Sequence, residues 1–178
     1  MKKLTILTIA AAMMILMSSF ASAQTANGTL TVNATVNSSI KLVFNSDLAG
    51  VTLTSGAGTN TATLDFGAVS AFGALGANIT RTVIAGTSFT VSTPVDVNVT
   101  KANSASANYT MAAKLGAADA VNTWQVGGVT VTNAGFNNIT LTGAYASNVA
   151  EAIAITVPFT TANGTVISNT ILFQATAN

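Results

Sequence analysis

The sequence predicts an all-β fold, an antiparallel β-sandwich that follows a cleaved signal peptide. Three observations predict it. Thr, Val, Ala, Asn, Ser and Gly dominate the chain beyond residue 23, and only two prolines occur, Pro94 and Pro158. Residues branched at Cβ favour strands, while Asn and Gly serve turns. Apolar residues also recur at every second position, the period of a strand with one buried face. Finally, no amphipathic helix follows the signal; Ala112 to Ala120 alone has helical propensity, and Gly116 interrupts it.

The first element is the signal peptide, residues 1–23. Lys2 and Lys3 form a basic start, Leu4 to Met17 carries no charge, and Ala21-Ser22-Ala23 is a small-x-small site that places cleavage before Gln24. The uncharged run is shorter than the roughly 20 residues that span a bilayer, and no stop-transfer pattern follows it. The expected product is secreted to the extracellular space or cell surface, with no membrane span after cleavage.

Strands come next in order. In residues 28–36, Leu30, Val32, Ala34 and Val36 alternate with Thr29, Thr31, Asn33 and Thr35. Similar alternation marks Ile40, Leu42 and Phe44, then Leu64 and Phe66 within residues 62–68. Phe89 with Val91, Val95 to Val99, and Tyr109 to Ala113 follow. Val129 with Val131, Ile139 with Leu141, Ile153 to Phe159 and Ile171 to Ala175 complete the set. Asn163-Gly164, between a strand ending near Thr161 and one starting near Val166, is the pair that type I′ hairpin turns favour, so those strands are expected to pair antiparallel with each other. The domain organisation is then residues 24–37 as an N-terminal strand and 38–178 as a single sandwich. A closed membrane barrel would carry aromatic girdles. Beyond residue 23, ten aromatics are scattered singly, as core fillers would be, and Trp124 is expected in the core.

Composition excludes much chemistry. The chain has neither His nor Cys, hence no thiol nucleophile, disulfide or Ser-His triad, and no ordinary zinc or copper site. Beyond residue 23, Lys41, Arg81, Lys101 and Lys114 face Asp47, Asp65, Asp96, Asp119 and Glu151. That balance offers no footprint for nucleic acid. There is no phosphate-binding loop, Gly-x-Ser-x-Gly elbow or EF-hand run. Asp65-Phe66-Gly67 matches the kinase metal-binding tripeptide but lacks its partner motifs, so it reads as a strand end and a turn glycine. Eight Asn-x-Ser/Thr triplets, at Asn27, Asn33, Asn37, Asn78, Asn98, Asn108, Asn138 and Asn163, are what an Asn- and Thr-rich chain generates by composition. No catalytic residue, cofactor or metal is expected. An enzyme would need two of the five acids to converge in a cleft. An amide between Lys41, Lys101 or Lys114 and an Asn would leave its trace in the intact mass alone.

Scarce charge points instead to association. Only 6% of residues are charged, against about a quarter in ordinary domains, so strand edges lack the charges that discourage pairing. Residues 28–36 would open the secreted chain as an unprotected alternating strand. Leu30, Val32, Ala34 and Val36 are therefore the candidate subunit interface, a donor strand for a neighbour's sheet; pairing within the same domain is the alternative.

Gly28 to Val36 leading into Ile40, followed by Leu64-Asp65-Phe66-Gly67, resembles secreted fimbrial proteins. These are pilin-like, immunoglobulin-like sandwich subunits, including the spore-coat U type, with an opening alternating strand and a Leu-x-Phe-Gly turn. The likeness covers residues 24 to about 70 and, loosely, the final hairpin expected around Asn163-Gly164. The chain departs from those families in lacking a cysteine pair and in ending Phe173-Gln174-Ala175-Thr176-Ala177-Asn178, without a penultimate tyrosine. The resemblance implies a structural, self-assembling subunit of an extracellular filament, with copies of itself as partners. The alternative is a secreted binding module, an adhesin that docks a glycan or cell-surface polymer, marked by exposed aromatics around Trp124 or Tyr145.

Overall fold

The computed structural model describes residues 28–178; the predicted signal peptide lies outside the described residues. By its contacts the chain divides between Thr35 and Val36, and all nine described strands lie beyond that point. They are β1 (Ser39–Asn45), β2 (Thr80–Ile84), β3 (Ser88–Ala102), β4 (Tyr109–Leu115), β5 (Thr123–Val126), β6 (Val129–Val131), β7 (Asn137–Gly143), β8 (Asn148–Pro158) and β9 (Ile171–Ala177). The described residues contain no helix, and the fold is an antiparallel β-sandwich, as the alternation predicts.

The larger sheet has the order β1-β3-β8-β5-β6, with β2 also on β3; the smaller is β7-β4-β9. The 15-residue β3 is its spine, and burial alternates along it without a fault from Phe89 to Val99. Pro94 splits this run in the sequence, yet the strand continues through it. On one side β3 pairs with β8 from Ser88 to Asn98. On the other it meets β2 as far as Ser92 and β1 only from Asp96. Pro94 sits in that gap, and its carbonyl faces Gly50, where an added Cβ would lie 2.0 Å from the oxygen. A residue's N–H and C=O point to the same side of an antiparallel strand, so the missing N–H costs no ladder bond.

The 34 residues between β1 and β2 contain no strand. Leu64 and Phe66 pack against the core as their parity predicts, but residues 62–68 make only an isolated bridge, Ser55 to Thr63. The expected strand there is thus corrected to a packed loop. Gly67, with φ +63°, donates its N–H to Asp65 Oδ1 at 2.7 Å, a turn closed by the Asp side chain. Thr93, buried at the β2–β1 gap, anchors the same loop. Its Oγ1 donates to Asn78 O at 2.9 Å and accepts from Val51 N–H at 2.8 Å.

A second correction concerns the chain end. β8 pairs with β3 and β5, whereas β9 pairs with β4, so the two strands flanking Asn163-Gly164 belong to different sheets. Thr165 N–H does donate to Ala162 O at 3.2 Å, closing a turn. Only Gly164 has positive φ, however, whereas a type I′ hairpin needs it at both central residues. The segment carries the chain from one sheet to the other.

Candidate assembly surface

Three groups of residues bear on function: the opening segment, the sheet edges and a polar cluster inside the sandwich. Gly28 to Ser38 belongs to no strand. Leu30 is 86% exposed, Val32 80% and Val36 72%, and Ala34 is also exposed. Each of these apolar side chains would gain from burial, about 1.5–3 kcal/mol for a fully buried Leu or Val.

The sheet edges differ in protection. β9 pairs with β4 over all seven of its residues, and its other edge has no partner among the described residues. β1 is partly covered, since Phe44 N–H donates to Thr59 O and Gly58 N–H to Phe44 O. Phe44 and Phe173 meet across the sandwich edge with ring centroids 5.1 Å apart.

Inside the sandwich lies a cluster that sequence reasoning missed. Glu151 is buried on β8, on the same face as Ile153, Ile155 and Val157; that shared parity was the available signal. Its Oε1 accepts a hydrogen bond from Thr140 Oγ1 at 2.9 Å. Thr140 reaches it because β7 carries irregular register against β4: Met111 pairs with Thr140, but Ala112 pairs with Asn138. Ile139 is the extra residue, so Ile139 and Thr140 are both half-buried. The fully buried Tyr109 hydroxyl has no hydrogen-bond partner. Burial, and then the Glu151 charge, push the Tyr109 phenol up; burial also pushes the Glu151 carboxyl up, against the hydrogen bond from Thr140.

The remaining polar residues serve the fold. Trp124 is buried, as expected, and its Nε1 donates to Asp119 Oδ2 at 2.8 Å. Burial of Asp119 opposes its charge, but donors from Asn122, Trp124 and Val121 outweigh it and hold the carboxyl down at about 2. Asp96 is raised by burial and then by neighbouring Asp47. These two half-buried acids do come together, where β1 ends beside the middle of β3, and Asn148 Nδ2 donates to Asp96 Oδ2 at 2.9 Å. The Lys101 and Lys114 ammonium groups sit over the rings of Tyr145 and Phe136 at 4.9 and 5.0 Å. Tyr145 is half-buried, with its hydroxyl donating to Asn108 O at 3.1 Å. Trp124 and Tyr145 thus do not form the exposed aromatic face that a glycan-binding module would present. No group of three or more metal-binding side chains occurs among the described residues, and no helix among them is long and apolar enough to cross a membrane.

No protein-family model, curated protein or solved structure matches this chain.

Proposed function

We propose that the chain is a secreted, non-catalytic structural subunit of an extracellular fibre or surface layer, built from copies of itself by β-strand pairing. Residues 28–36 are the donor strand, with Leu30, Val32, Ala34 and Val36 as the interface. The observation that carries the reading is an alternating apolar row that lies in no strand and stands exposed. A nearly uncharged chain supports it, because nothing along residues 28–36 opposes pairing with another edge. Backbone hydrogen bonds would supply continuity, and the period of two would fix which side chains face the neighbour.

Negative-stain electron microscopy tests it. The chain from Gln24 to Asn178 is expected to form fibres at high concentration. The same chain lacking residues 24–37, or carrying Val32→Asp, is expected to stay monomeric with unchanged far-UV circular dichroism. Folded monomers from the unmodified chain under those conditions would overturn the proposal and leave the binding module as the better reading.

A further inference from the structure

The two seams of the sandwich are unlike. On the β6–β7 side, Leu115 N–H donates to Thr132 O at 3.0 Å and Asn137 Nδ2 donates to Thr130 O at 2.9 Å. Those bonds stitch the sheets together. Between β1 and β9 no hydrogen bond runs among the described residues, and the Phe44–Phe173 ring pair is the notable contact. Beside it opens a groove of about 530 Å³ lined by Ile40, Leu42, Thr59 and Phe173. A smaller hollow of about 140 Å³, lined by Ser39, Ile40, Ser104 and Ala177, lies along the same seam.

Burial reports the same opening. Val91, Val95, Val97 and Val99 on the interior strand β3 are all buried. Leu42 and Phe44 on β1, and Ile171, Phe173 and Ala175 on β9, pack against the core yet are only half-buried, as is Ile40 in line with them. One more strand laid along the seam would cover them. The β1 edge is already taken at Phe44 by the loop, which leaves β9 as the longer free ladder. β9 has no Lys, Pro or inward charge to blunt it.

We infer that the free edge of β9 is the acceptor for residues 28–36 of a second copy of this chain, whose Leu30, Val32, Ala34 and Val36 enter the groove against Ile40, Leu42 and Phe173. The inference rests on the strand-pairing reading above. Nine extended residues reach about 30 Å and the seven of β9 about 23 Å, so the segment covers the whole edge. Residues 28–36 carry no charge, and Lys41 is the one charged residue lining the groove, with its side chain exposed. Donor and acceptor are different surfaces of one chain. The contact is therefore head-to-tail and, where its rotation does not close a ring, grows into a filament.

Cysteine pairing tests the acceptor, because the native chain has no cysteine to interfere. Copies carrying Leu30→Cys or Ala34→Cys are mixed with copies carrying Ile171→Cys or Ala175→Cys on β9, or Val129→Cys on β6, then assembled and oxidised. Two positions on each strand cover alternative registers, since a disulfide forms only with Cα atoms within about 7 Å. Covalent dimers are expected from the β9 mixtures and not from the β6 mixture. Fibres that cross-link through β6, or that form without any β9 cross-link, would overturn the β9 assignment while leaving strand-paired assembly standing. Unmodified chain that forms no fibres at all would overturn both.

Discussion

Gly143→Ala is expected to destabilise the sandwich by about 3 kcal/mol, the upper range for overpacking a filled core. Gly143 closes β7 opposite Tyr109. A Cβ there would lie 2.2 Å from Tyr109 Cζ and 2.4 Å from Cε2, far inside van der Waals contact. Tyr109 is fully buried and its ring stands 5.3 Å from that of Tyr145, so it has no free space to swing into. Thermal unfolding checks the effect, with Tm expected to fall by roughly 10 °C for a domain of this size. Gly135→Ala is the control: its added Cβ meets nothing within 4 Å, and the change in Tm should be small.

Glu151→Gln is expected to raise stability at pH 7 by about 1–2 kcal/mol, because it removes a buried ionisable group whose charge no cation among the described residues offsets. The glutamine keeps an acceptor for Thr140. Among the described residues, Tyr109 is the titratable group that couples to this carboxyl, and its shift has the same sign. The sign of the pH dependence follows from linkage. Burial raises the folded-state pKa of Glu151 above the ordinary 4.5, so the native chain holds this proton where the unfolded chain has lost it. Its contribution is fully present below pH 4.5 and lost as pH rises through the folded value. The variant's advantage should therefore vanish below pH 4.5, as urea unfolding at a series of pH values will measure. An advantage that persists unchanged in acid would mean that the gain comes from packing rather than from charge.

The period of two made most of the fold legible. It located β1, β4, β6, β8 and β9 and both halves of β3, where the in-phase apolar residues face the interior; Ile139 and Leu141 marked β7 as well, although its irregular register leaves Leu141 64% exposed. What it left obscure depended on partners distant in sequence. Pro94 reads as a break until the gap between β2 and β1 is seen to leave its backbone unpaired on that side. Leu64 and Phe66 have strand-like parity and do face the core, yet no neighbouring strand is within reach to pair with them. Asn163-Gly164 is a sound turn pair, but the choice between a hairpin and a crossing between sheets lies with the strands on either side. β2 and β5 are short and give the period little to act on: Val83 and Ile84 are adjacent in β2, and Trp124 and Val126 are the single alternating pair in β5.

The candidate interface was legible for a different reason. Leu30, Val32, Ala34 and Val36 stand out because alternation is a property of the segment itself. The groove beside β9 was not legible, since Ile40, Leu42 and Phe173 are brought together from opposite ends of the chain. The Glu151 cluster was hidden likewise: Thr140 turns inward only because β7 is irregular against β4. Glu151 itself carried a clue, an acid in phase with Ile153, Ile155 and Val157.

Amide hydrogen exchange of residues 28–36, compared between monomeric and assembled chain, tests the central claim most directly. Strand pairing between copies predicts rapid exchange in the monomer and strong protection of these amides in the assembled state, because each ladder bond must open before its amide can exchange. Protection already present in the monomer would place the strand within its own domain. Rapid exchange in both states would mean that assembly, if it occurs, does not use this segment, and either result would contradict the account.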